Sequence, residues 1–82
     1  MLFEVFIHAK AKKKFERMDE ALGHRIRGAL RLLGEPFSLD TIKIRGEDHK
    51  YRTRIGKYRI LFFIRGKNIY VVDFDARGKI YK

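Results

Sequence analysis

The chain reads as an α+β domain, a helical hairpin packed on one face of a sheet, and three observations predict it. A short alternating segment opens the sequence at Phe3–Ile7. Apolar residues then recur every three or four positions from Ala11 to Leu33, and after Pro36 the recurrence drops to two. The element order is therefore β-α-α-β-β-β-β: an N-terminal strand, a helical hairpin, then an antiparallel four-strand meander. At 82 residues, with no repeat, no low-complexity stretch and a single proline, one domain covering 1–82 is expected.

The helical stripe consists of Ala11, Phe15, Met18, Leu22, Ile26, Ala29, Leu30 and Leu33. Asp19 stands just before Glu20 with the short acceptor side chain that an N-cap needs, so the stripe breaks into two helices there. Gly34-Glu35-Pro36 ends the second helix, since glycine suits a C-terminal cap and proline cannot continue the ladder. The polar side carries Lys10, Lys12, Lys13, Lys14, Arg17, Arg25, Arg27 and Arg31, a solvated face by default. Four alternating segments follow, Thr41–Arg45, Tyr51–Ile55, Tyr58–Arg65 and Asn68–Phe74, separated by glycine-bearing turns that suit a meander.

Charge gives the first functional clue. Twenty Lys and Arg against ten Asp and Glu leave a formal net charge of +10, and such a surplus seeks polyanions: nucleic acid, an acidic protein, or both. Cysteine is absent, which excludes a disulfide scaffold and a thiolate nucleophile or metal site. His8, His24 and His49 are scattered without metal-ligand spacing, and no cofactor is expected. There is no Walker loop, no G-x-G-x-x-G, and Ser38 is the only serine. The opening residues run apolar and then basic, the reverse of a secretory signal, and no apolar run reaches membrane-spanning length; a cytoplasmic protein is expected.

The informative stretch is Tyr51-Arg52-Thr53-Arg54-Ile55-Gly56-Lys57-Tyr58-Arg59-Ile60. Gly56-Lys57 suits a two-residue type II′ hairpin turn, with glycine at the first central position. Under that register Ile55 pairs with Tyr58, Arg54 stands opposite Arg59, and alternation puts Arg52 on the same face. Directly opposed like charges disfavour a strand pair, so the arrangement asks for an anion, and a phosphate matches the planar donor fork of arginine. The competing reading pairs these arginines with Glu47, Asp48, Asp73 or Asp75 in an ion-pair network. Near the end of the chain, Arg77 and Tyr81 stand where they can complete a site beside the arginines. Lys43, Arg45, Lys50, Lys57 and Lys79 are the further candidates for contacts with RNA.

Lys43-Ile44-Arg45-Gly46, the string Tyr-Arg-x-Arg-x-Gly-x-Tyr-Arg-Ile-Leu-Phe that begins at Tyr51, and the terminal Arg-Gly-Lys-Ile-Tyr-Lys together resemble the RelE branch of the RelE/ParE toxin superfamily, in its archaeal form. The likeness covers nearly the whole chain. It implies the toxin of a type II toxin–antitoxin system: a ribosome-dependent, metal-independent endoribonuclease that cuts mRNA in the ribosomal A site and is neutralised by a RelB-like antitoxin. Carried over residue by residue, it implies a catalytic set of Arg52, Arg54, Arg59, Arg77 and Tyr81. Arg59 and Arg77 would stabilise transition-state charge, Arg52 and Arg54 would organise substrate, and Tyr81 would assist proton transfer. Well-known RelE toxins carry lysines where this chain has Arg52 and Arg54, which leaves the general base unassigned. Two other functions stay open at this point: a ParE-like toxin aimed at DNA gyrase, and a degenerate module that binds RNA or antitoxin without cleaving.

Overall fold

The computed structural model describes residues 2–76. Its elements, in chain order, are β1 (Glu4–Ile7), α1 (Ala9–Glu16), α2 (Glu20–Leu32), β2 (Thr41–Lys43), β3 (Lys50–Ile55), β4 (Tyr58–Arg65) and β5 (Asn68–Ala76), with a single 3-10 turn at Pro36–Ser38. The expected α+β order is present. The five strands form one sheet in the order β1-β5-β4-β3-β2, so the last four make an antiparallel meander and β1 joins its edge parallel to β5.

The hairpin breaks where the capping chemistry is. Asp19 accepts a hydrogen bond from the Leu22 N–H at 2.8 Å and so satisfies one of the free donors at the start of α2. His8 does the same for α1, its Nδ1 accepting from Lys10 N at 3.1 Å. All eight residues of the apolar stripe meet the sheet: Ala11, Ile26, Ala29 and Leu33 are buried, and Phe15, Met18, Leu22 and Leu30 pack at their margin. From the strands come Ile60, Phe62, Ile69, Val71 and Phe74. Burying one such side chain is worth about 1.5–3 kcal/mol, which is how so short a chain sustains a core without disulfides.

Both long hairpins turn through Gly-Lys. Ile55 pairs with Tyr58 around Gly56-Lys57, and Arg65 pairs with Asn68 around Gly66-Lys67. Gly56 and Gly66 have φ of +59° and +57° while neither lysine is at positive φ, as a type II′ turn requires. The observed ends differ from the expected ones at two places. β2 stops at Lys43 because Arg45 and Gly46 already belong to the connection, where Gly46 and His49 take φ of +82° and +64°. β5 runs on to Ala76 because Tyr58 still pairs with it across the sheet, a register kept by a bulge opposite Leu61 and Phe62.

Candidate functional site

Arg52, Arg54 and Arg59 come together on the sheet face turned away from the helices. Thr53 and its register partner Ile60 are fully buried on the helix side, and alternation sends their chain neighbours the other way. Arg54 and Arg59 are direct cross-strand partners, as the hairpin register predicted. Leu61, which pairs with Arg52 on one side and Asp73 on the other, lies on this same face and is only 1% exposed, an apolar floor among charged neighbours.

Two of the three guanidiniums share one carboxylate, and it is none of the four considered from sequence. Asp40, the residue before β2, accepts from Arg54 Nε at its Oδ2 (2.9 Å) and stands 3.6 Å from Arg52 Nη1 through Oδ1. Its backbone carbonyl accepts from Arg52 Nη1 at 3.1 Å and from the Arg54 N–H at 2.9 Å. The Arg52 side chain is 12% exposed and that of Arg54 54%, so Arg52 is locked and Arg54 reaches into solvent. The missed signal was a register. Thr41 pairs with Thr53, their hydroxyls 2.6 Å apart, and this brings the preceding Asp40 alongside Arg54.

Of the expected acidic partners, Asp75 stands beside an arginine and the other three are placed otherwise. Asp73 takes Lys14 of α1, Nζ to Oδ1 at 2.8 Å, and its Oδ1 also accepts the Phe74 N–H. Asp75 is the register partner of Arg59; it is 8% exposed, and its Oδ2 is buried without a hydrogen bond. Glu47 and Asp48 are exposed in the β2–β3 connection.

Among the remaining candidates, Lys57 sits in the hairpin turn beside the Arg54–Arg59 pair. Lys50 is on the same face of β3, about 13 Å from Arg54 by strand rise, and its Nζ lies 5.7 Å from the centre of the Phe63 ring. Lys43 pairs with Tyr51, whose ring stacks on the core residue Phe62, and so belongs to the helix-side register. Arg45 is exposed in the connection. Arg77, Lys79 and Tyr81 lie outside the described residues.

No family model matches the sequence, and no curated protein matches it either. Solved structures do. The fold, a helical hairpin packed on one five-stranded sheet, matches that of the RelE toxins. The chain overlays with a TM-score of 0.80 and 28% identity on the archaeal RelE–RelB complex from Pyrococcus horikoshii, over 96% of this chain and 99% of that one. For the RelB–RelE antitoxin–toxin complex from Methanococcus jannaschii the TM-score is 0.77 at 24% identity, over 93% and 94%. For the toxin–antitoxin complex RelBE2 from Mycobacterium tuberculosis it is 0.82 at 18%, over 94% and 100%. The chain thus has the fold of the RelE toxins and is similar to the archaeal ones in sequence as well as in structure.

Proposed function

We propose that the chain is the toxin of a type II toxin–antitoxin pair, a ribosome-dependent endoribonuclease that cleaves mRNA in the A site without a metal ion and is held inactive in the cytoplasm by a RelB-like antitoxin. The observation that carries this reading is the pairing of Arg54 with Arg59 across the Gly56–Lys57 hairpin, with Arg52 beside them, on the sheet face of a RelE fold that is turned away from the helices. Permanent, planar cations gathered on the sheet face away from the helices are suited to grip a phosphodiester and to take up the charge that develops on it.

The reaction needs little else. The ribose 2′-oxygen attacks the adjacent phosphorus, its proton passes to a base, the bond to the departing 5′-oxygen breaks, and an acid protonates that oxygen; the products are a 2′,3′-cyclic phosphate and a 5′-hydroxyl. Arg59 and Arg77 are assigned to the growing phosphorane charge, Arg52 and Arg54 to placing the substrate, and Tyr81 to the proton relay. Arg45, Lys50, Lys57 and Lys79 are assigned to the flanking RNA, whereas Lys43, on the helix-side register of β2, is not. A gyrase-directed toxin has no use for an arginine cluster on this face, and the cluster is why the ribonuclease reading is preferred.

Primer extension on mRNA in a programmed ribosome tests it, run with and without EDTA and beside the same mRNA free in solution. Cuts within the A-site codon that persist in EDTA and need the ribosome are expected. Intact mRNA in the presence of folded protein would leave a gyrase-directed or merely binding domain.

A further inference from the structure

Asp40 is the only described carboxylate that binds two of the site's arginines, and we infer that it is a positioning residue which aims Arg54 at the RNA phosphate. The inference rests on the ribonuclease reading only for the identity of the anion. Its own basis is geometric. Asp40 grips Arg54 twice, by its backbone N–H and by Nε, and grips Arg52 through Nη1 with both its carbonyl and its carboxylate. Nε is the guanidinium nitrogen nearest the chain. A carboxylate bound there fixes the plane of the fork and turns the edge formed by the two terminal nitrogens outward, the edge that binds phosphate in bidentate fashion. Just over half of the Arg54 side chain is exposed, which leaves that outer edge accessible.

The pair is too exposed to exist for the sake of folding, because solvent screens such contacts and they add little to stability. Asp40 holds a negative charge at the place where the protein should be most attractive to RNA. If it acted only through its charge, it would weaken RNA binding, and its removal would tighten it. As a positioning residue it has the opposite sign: Asp40→Asn loses the charge-assisted grip on Nε, frees Arg54 to wander, and weakens binding although the protein becomes more cationic. The carbonyl contacts survive in that variant, so Arg52 and the β2–β3 register stay in place.

The test titrates a short single-stranded RNA, 2′-deoxy at one internal ribose to block cleavage there, into the wild type, Asp40→Asn, Asp40→Glu and Arg54→Ala, at several salt concentrations. Arg54→Ala is expected to bind about tenfold more weakly, the loss of one hydrogen bond to a charged group, with the log–log salt slope shallower by about 0.7. Asp40→Asn should follow it in direction, about threefold weaker, and Asp40→Glu should recover most of the loss. The Arg54 Nε–Hε resonance, sharp and protected in the wild type, should broaden or vanish in Asp40→Asn and return in Asp40→Glu. Binding by Asp40→Asn as tight as wild type or tighter would overturn the assignment. A wild type that binds RNA with this pattern but fails to cut on the ribosome would overturn the ribonuclease reading and leave Asp40 in its place.

Discussion

At the scale of single residues, the arginines were legible and their keeper was not. Arg54 and Arg59 followed from the Gly56-Lys57 turn alone, because a two-residue turn leaves no freedom in the register of the strands that it joins. Asp40 depended on how β2 meets β3 across a six-residue connection, and such a connection admits several registers; Thr41 opposite Thr53 was settled only by packing, with the Thr41 hydroxyl bonded both to Thr53 and to the Pro36 carbonyl. Arg59 is the arginine to test first for chemistry. It is half-buried and flanked in the sheet by Arg54 and Asp75, so a substitution removes a charge whose surroundings are already fixed. Arg59→Ala should slow single-turnover cleavage on the ribosome by about 100-fold, the loss typical of one preorganised donor to a developing oxyanion, while antitoxin affinity changes little. Combined with Arg77→Ala it should abolish growth arrest. A fully toxic double variant would mean that the chemistry lies elsewhere.

At the scale of elements, what sequence could specify was whatever local chemistry decides. The Asp19 cap and the two Gly-Lys turns need only their own few atoms, and they stand where expected. The ends of β2 and β5 are set by partners on other strands, Tyr51 to Thr53 and Tyr58, and these ends moved by two residues each. Two substitutions measure the local terms. Asp19→Ala leaves the Leu22 N–H without its acceptor and should cost about 1 kcal/mol in urea denaturation. Gly56→Ala forces a Cβ onto a residue at positive φ and against the Arg25 guanidinium, and should cost at least about 1 kcal/mol. For a domain of this size each such loss lowers the melting temperature by about 4–8 °C. A Gly56→Ala protein that melts with the wild type would mean that the turn is not the type II′ turn described here, and the Arg54–Arg59 pairing would have to be re-examined.

At the scale of the whole molecule, the cations of the described residues stand on two contrasting surfaces. The helical hairpin carries lysines and arginines that are exposed along α1 and α2, while the arginines of the opposite sheet face are partly matched by Asp40 and neighboured by Asp73 and Asp75. Such a division suits a protein that is drawn to RNA by one broad field and then holds a single phosphate in a more balanced site. The field is screened by salt over about 8–10 Å near physiological ionic strength, whereas close arginine–phosphate contacts are screened much less. Binding of uncleavable RNA should therefore weaken steeply with salt, by about 100-fold between 50 and 200 mM if about five phosphates are contacted. Replacing Lys12, Lys13 and Lys14 together with glutamine should flatten that dependence, at the expense of the Lys14–Asp73 ion pair. The same triple change should leave the A-site cutting pattern unaltered on ribosomes saturated with protein, because, of the three lysines, only Lys14 meets the arginine-bearing face, and there it meets Asp73 rather than an arginine. A triple variant that binds with the wild-type salt slope but cuts at shifted positions would reverse these assignments, making the helices the part that places the RNA and the sheet the source of nonspecific attraction.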